Sequence, residues 1–299
     1  MTPFARIALI GFGEVGQILA DDLLKAGVTQ ISAFDVLFGR ADSIPSKAAA
    51  QRPVVKAADA ASAVRDCELV LCAVTAASDL AAAQSVAATL PRGAIYIDLN
   101  SASPGMKKQA AAIIDGAGGR YVEAAVMTPF PPKRIASPML LGGAHAQEFL
   151  DRATPLGFSA KVFSTEVGKA SATKMCRSVM IKGLEALVVE SYTTARAYGV
   201  EDHVLPTLKE TFPSIDWSEE GRYFYSRVVQ HGKRRAEEMR EAANTVREAG
   251  FEPLMAAATA QKQDWVARLA AKGLFEGIQK SGGWQAYADR LIQQAKRRD

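Results

Sequence analysis

The chain carries only three cysteines and three histidines in 299 residues. Cys67, Cys72 and Cys176 lack metal-ligand spacing and the histidines are scattered, so neither a disulfide framework nor a metal centre is expected. Two of the cysteines lie in apolar runs, and all three read as reduced core residues of a cytoplasmic protein. No apolar run reaches membrane-spanning length, and the first strand pattern begins almost at once without a signal-peptide pattern, so no membrane association is expected. A dominant charge is missing too. Thirty-six Lys and Arg are mixed with 32 Asp and Glu to leave +4, which gives no argument for a nucleic-acid partner. The basic tail Lys296-Arg297-Arg298 reads as a solvated end. No internal repeat is present, and only the stretch from Ala57 to Ala63 is compositionally biased.

What is present is an apolar fraction of 48% on a chain longer than one hydrophobic core usually organises, which points to two domains. The run Arg6-Ile7-Ala8-Leu9-Ile10 leads directly into Gly11-Phe12-Gly13-Glu14-Val15-Gly16 and then into an amphipathic stretch through Ile18, Leu19, Leu23 and Leu24. A G-x-G-x-x-G turn between a strand and a helix is the setting for a bound dinucleotide. Gly11 permits the sharp turn, Gly13 the approach of backbone to a pyrophosphate, and Gly16 close packing of a helix whose N–H groups face the phosphates. Asp35 closes the second apolar run, Ile31-Ser32-Ala33-Phe34, where a carboxylate accepts hydrogen bonds from ribose hydroxyls and repels a 2′-phosphate. NAD is therefore expected, and Arg40 nearby keeps NADP as the alternative.

Up to residue 163, strand-like and helix-like segments alternate, as in a doubly wound parallel sheet covered by helices. Strands are expected at Glu68–Val74, Ala94–Leu99, Tyr121–Val126, Pro138–Gly143 and, as a short edge, Ala160–Phe163. Ligands in such sheets lie beyond the carboxyl ends of strands, which places Val74, Thr75, Asn100 and Ser101 to line a cofactor crevice, and Ser101 is further assigned to the substrate. After Gly168 the pattern is helical, with Ala172, Met175, Cys176, Val179, Leu184, Leu187 and Val188 as the apolar side of the first helix. Helical periodicity continues in Glu219–Ala249 and Leu254–Leu269. The boundary is placed between residues 164 and 165, giving a dinucleotide domain followed by an all-helical domain for substrate binding and oligomerisation.

Four stretches in order resemble the β-hydroxyacid dehydrogenase family, which includes 6-phosphogluconate and 3-hydroxyisobutyrate dehydrogenases. They are Gly11 to Gly16, Asp98-Leu99-Asn100-Ser101-Ala102-Ser103-Pro104, Glu123-Ala124-Ala125-Val126, and Gly168 to Ser178. The resemblance implies a Rossmann domain followed by a helical domain, homodimers or homotetramers, and a hydroxy acid or sugar acid as substrate. It also implies that Lys174 is the catalytic lysine. Alone, Lys174 reads as a solvated helix residue. Its place on the first helix after the dinucleotide fold, at the family's lysine position, assigns it the proton transfer that accompanies hydride transfer. Ser178 stands at the family's asparagine position, and Ser178 and Lys182 follow Lys174 in four-residue steps on one helix flank.

The chain departs from the family after the sixth strand, where Met127-Thr128-Pro129 replaces a serine-glycine-glycine and Pro129 has no N–H to offer a substrate carboxylate. Arg235, on the apolar flank that continues through Met239, Ala242 and Val246, and His231 one turn earlier are expected to compensate. A half-buried arginine needs an anion, either a protein carboxylate or a carboxylate or phosphate of the substrate. The alternatives to a hydroxyacid dehydrogenase are a non-catalytic dinucleotide-binding redox sensor, an oxidative decarboxylase and an imine reductase.

Overall fold

The computed structural model describes residues 2–279 and 282–296. Arg297 and Arg298 of the basic tail lie outside these. Two compact units divide the chain, Met1–Met175 and Cys176–Asp299. The division falls inside a long helix instead of ahead of it, where the change of sequence pattern had placed it.

The first unit is built on one sheet with β1 (Arg6–Ile10), β2 (Gln30–Phe34), β3 (Val55–Lys56), β4 (Leu69–Cys72), β5 (Ile95–Asp98), β6 (Arg120–Val126), β7 (Met139–Gly142) and β8 (Ala160–Ser164). Its order is β3-β2-β1-β4-β5-β6-β7-β8. Every pairing is parallel except β6 with β7, so the expected parallel sheet has one antiparallel junction. The chain winds outward from β1 to β3 and returns to β4 on the other side of β1, which opens a crevice at the carboxyl ends of β1 and β4. Alternation along the strands splits the core into two layers. Ile7, Leu9, Leu71, Ile97 and Val122 belong to one, and Ala8, Ile10, Val70, Tyr96 and Tyr121 to the other.

The helices are α1 (Glu14–Lys25), α2 (Ile44–Ala50), α3 (Ala60–Val64), α4 (Asp79–Ala87), α5 (Pro104–Gly116), α6 (Phe130–Lys133) and α7 (Ala146–Ala153), followed by α8 (Lys169–Tyr198), whose first turns belong to this unit. Local chemistry sets several starts. Ser43 accepts from the Ser46 N–H to cap α2, Asp59 and Ser62 form a capping box on α3, and Ser103 caps α5 ahead of Pro104.

The second unit comprises the rest of α8 with α9 (Glu201–Thr211), α10 (Trp217–Glu248), α11 (Leu254–Ala271) and α12 (Trp284–Lys296). Tyr192, Tyr225, Trp284 and Tyr287 form its aromatic centre, with the Tyr192 and Trp284 rings edge-to-face at 4.8 Å. Gly232 lets α10 approach α11, since a Cβ there would stand 2.9 Å from the Gln263 carbonyl oxygen. Among the described residues, no helix is long and apolar enough to cross a membrane.

The buried side of α8 differs from the apolar side expected. Met175 and Val188 are buried, but Cys176 is exposed and Leu187 is half exposed, whereas Ser178, Lys182 and Glu185 are buried. The reason lies in α10. Its Arg235 donates to both carboxylate oxygens of Glu185, Gln263 of α11 adds a 3.3 Å bond, and Lys182 pairs with Glu238 at 2.8 Å. Ion pairing, not apolar periodicity, sets that face. Removing one member of a buried pair strands the other charge, so Arg235→Ala should lower stability by about 3–5 kcal/mol, read as a falling Tm. An unaltered Tm would show that Glu185 does not depend on Arg235.

Candidate functional site

The glycine turn after β1 is shaped by close backbone contacts. Gly11 has φ +92°, a conformation that suits glycine, and a Cβ on it would stand 2.3 Å from the Ala73 carbonyl oxygen at the end of β4. A Cβ on Gly16 would stand 2.2 Å from the Gly11 oxygen, so the first turn of α1 rests on the loop itself. Gly13 is different. A Cβ there would meet nothing within 4 Å, and no side chain caps the helix that it starts. Open space in front of an uncapped helix N-terminus fits the pyrophosphate of a dinucleotide. Phe12 is fully buried against Phe38, so only its backbone faces the loop, while Glu14 is exposed and Val15 half-buried.

Asp35 is fixed at the end of β2. Its Oδ2 accepts from the Phe12 N–H at 2.8 Å and its Oδ1 from the Leu37 N–H at 2.9 Å. Each carboxylate oxygen keeps a lone pair, which suits a group that receives ribose hydroxyls. Arg40 is exposed and pairs with Asp42 at 3.8 Å.

Asn100 does not line the crevice with its side chain. It is buried, its Oδ1 accepts from the Val74 N–H at 2.7 Å, and its Nδ2 donates to Asp79 Oδ1 at 2.8 Å. Its amide ties the loop after β4 to the loop after β5. Thr75 is exposed at the mouth of the first of these loops and shares a 3.0 Å hydrogen bond with Ser78.

Beneath those loops lies a polar cluster built on Asp98, whose partners Lys107 and Tyr121 the sequence pattern does not mark. Asp98, fully buried, pairs with Lys107 at 2.6 Å and accepts from the Tyr121 hydroxyl at 2.7 Å and from the Asn100 N–H at 2.9 Å. Burial alone would lower the Lys107 pKa, but the negative charges of Asp98 and Asp79 outweigh it and the value rises. Asp79 is fully buried, and among the described residues its Oδ2 has no hydrogen-bond partner. Burial first, and the Asp98 charge second, push it up to about 7. A proton on Asp79 supplies the missing donor. Burial also pushes the Cys72 thiol up to about 12, which leaves it unreactive.

Lys174, half-buried near the start of α8, donates from Nζ to Ser101 Oγ at 2.6 Å. The structure thus joins an expected catalytic lysine to an expected substrate residue. In the loop after β6, Met127 donates its N–H to the Pro138 carbonyl and Pro129 precedes the short α6. The Thr128 hydroxyl is buried without a hydrogen-bond partner among the described residues. The loop is pinned by Arg134, a non-glycine residue at φ 55°, whose guanidinium binds Asp22 of α1 at 2.8 Å while the next N–H, of Ile135, reaches the same carboxylate at 3.1 Å. In the second unit, Ser178 accepts from Lys182 at 3.0 Å, burial lowers the Lys182 pKa against the pull of Glu238, and Arg235 has Glu185 as its protein anion. His231 is half-buried.

Residues 6–154 match the model of the NAD binding domain of 6-phosphogluconate dehydrogenase, and residues 195–266 match a domain of unknown function. An uncharacterized 28.5 kDa protein of Methanothermus fervidus is 30% identical over 258 residues, 84% of this chain and 94% of that one. A conserved hypothetical protein from Sinorhizobium meliloti 1021 is 34% identical with TM-score 0.78, over 98% of this chain and 97% of that one. The conserved protein MTH1747, described as structurally similar to 3-hydroxyacid dehydrogenases, is 32% identical with TM-score 0.70, over 89% and 98%. At 16% identity and TM-score 0.67, over 97% and 99%, the 3-hydroxyisobutyrate dehydrogenase of Mycobacterium tuberculosis with L-serine shares the fold. A reductive aminase from Aspergillus terreus with NADPH shares it at 19% and 0.55, over 91% and 95%. The first unit is an NAD(P)-binding domain.

The raised Asp79 value has a thermodynamic consequence. The folded state keeps a proton that an unfolded aspartate, with its ordinary value of 3.8, has lost, so the stabilisation is full at low pH and disappears as pH rises through about 7. Asp79→Asn keeps the acceptor for Asn100 and a donor toward Asp98 without titrating. At about pH 8 it should melt above the wild-type chain, and the gap should close toward about pH 5. Parallel melting curves across that range would place the proton elsewhere.

Proposed function

The chain belongs to the β-hydroxyacid dehydrogenase family, in a branch that joins a 6-phosphogluconate dehydrogenase-like NAD binding domain to a helical unit, and from that membership we propose that it is an NAD-dependent oxidoreductase acting on a small hydroxy acid or sugar acid. The observation that carries this reading is the Lys174 to Ser101 hydrogen bond, on the same unit as the glycine turn and Asp35. The bound nicotinamide would supply the hydride acceptor or donor. Gly13 and the first N–H groups of α1 would hold the pyrophosphate, and Asp35 the adenosine ribose. Lys174 would take the hydroxyl proton as the alcohol is oxidised, and return it in reduction. Ser101 holds the amine in place and offers a hydroxyl to the same substrate oxygen.

With Met127-Thr128-Pro129 in place of a glycine pair, backbone donors for a carboxylate are fewer, and the unsatisfied Thr128 hydroxyl is the polar group that the loop has left for a ligand. Met180, Ile181 and Leu187 on α8 expose apolar surface, which supports self-association through the helical unit.

An absorbance screen of hydroxy acids, sugar acids and cyclic imines with NAD(H) and NADP(H) tests the reading. Turnover of a hydroxy or sugar acid is expected, turnover of imines alone would make the protein a reductase of the other class, and cofactor binding without any turnover would make it a sensor. Lys174→Ala should reduce turnover by about a hundredfold to ten-thousandfold with cofactor affinity near wild type, and Lys174→Arg should fail to restore it. Near-normal turnover in Lys174→Ala would remove the lysine from the mechanism. NAD should bind more tightly than NADP, and Asp35→Ser should narrow the difference by removing repulsion of the 2′-phosphate. Titrations in which the wild type prefers NADP would refute the role given to Asp35.

A further inference from the structure

Cys72, Asp98, Glu123 and Gly142 are register partners across β4, β5, β6 and β7, one row that lies at the carboxyl ends of β4 and β5 and crosses β6 at mid-strand. Asp98 has Lys107 beside it. Glu123 is equally buried, but its two oxygens go elsewhere. Oε1 accepts from the Ala170 N–H at 2.9 Å and Oε2 from the Ser171 hydroxyl at 3.0 Å, both in the first turn of α8. The helix that bears Lys174 therefore begins on a carboxylate from the sheet. Space for that carboxylate comes from the neighbouring strand, since a Cβ on Gly142 would lie 2.3 Å from Glu123 Oε1. The φ of Gly142 is not positive, so what the position requires is room, not backbone freedom. Ala170 and Lys174 are four residues apart and share a helix flank, so the bond that fixes the one fixes the direction of the other.

From this placement we infer that Glu123 is a positioning residue, which sets the rotation and height of α8 so that Lys174 meets Ser101, with Gly142 as the vacancy that admits it. The inference rests on the proposed role of Lys174 for its catalytic meaning, but not for its geometry. A buried carboxylate is costly unless compensated, and here the free N–H and the positive end of a 30-residue helix compensate it. The charge and the helix start are each satisfied by the other.

Because no turnover is needed to see the lysine, the test is its reactivity. Trace acetylation with acetic anhydride, followed by peptide mass spectrometry, gives the rate at Lys174 relative to the exposed Lys47. Glu123→Ala should raise that ratio by about threefold to tenfold, the worth of one hydrogen bond. Glu123→Gln, which can still accept from Ala170 and donate to Ser171, should restore it. Gly142→Ala, which pushes the carboxylate off the helix, should reproduce the effect, so the inference stays testable if Glu123→Ala does not fold. In a Ser101→Ala background Glu123→Ala should add nothing, whereas a general loosening of the fold would add its effect and raise Lys47 as well. NADH affinity should stay at the wild-type value throughout. An unchanged Lys174 ratio in whichever of Glu123→Ala and Gly142→Ala folds, or an additive effect with Ser101→Ala, overturns the inference. Failure of Lys174→Ala to slow turnover would instead overturn the proposed reaction and leave the placement standing.

Discussion

Two carboxylates without solvent exposure, Asp98 and Glu123, sit side by side on adjacent strands, and the surrounding structure is arranged around the cost of keeping them there. One is neutralised by a buried lysine and a tyrosine, the other by a helix start and a serine. Each compensating group also fixes a segment of the proposed site. Through the Asn100 N–H, Asp98 sets the loop that carries Ser101, and Asn100 in turn sets Val74 at the cofactor crevice. Electrostatic necessity inside the sheet and order at its rim are the same set of contacts.

Much of the first unit was legible in the sequence because its signals are local. Three glycines at fixed spacing, an acid closing the second strand, and short runs of buried apolar residues all carry their meaning within a few positions. The two-residue β3 was too short to show a pattern, and the reversal of β7 against β6 leaves no trace in an apolar run that would suit either direction. Asn100 was correctly placed at a strand end, yet its side chain turned inward, a choice made by Asp79 and Val74 from distant parts of the chain.

The helical unit was less legible for a related reason. Periodicity assumes that apolar residues choose the buried face, but on α8 ion pairs with α10 outbid them, so that Cys176 and Leu187 face outward. Arg235 was recognisable as an inward arginine needing an anion, while the identity of that anion, Glu185, fifty positions away, could be read only from the fold. Thr128 and Arg134 pose the same difficulty in the first unit, since neither a buried orphan hydroxyl nor an arginine held at positive φ by Asp22 is visible in a linear pattern.

The empty side of Gly142 also bears on how such a chain can change over generations. With glutamate at 123, any side chain at 142 collides with an oxygen atom, and with a shorter residue at 123 a glycine at 142 leaves a void. Neither position can drift freely while the other stays fixed. In a set of related sequences the two columns should covary, glycine accompanying glutamate and a larger residue accompanying its loss, so that the pair is inherited as a unit although nineteen positions apart in the chain.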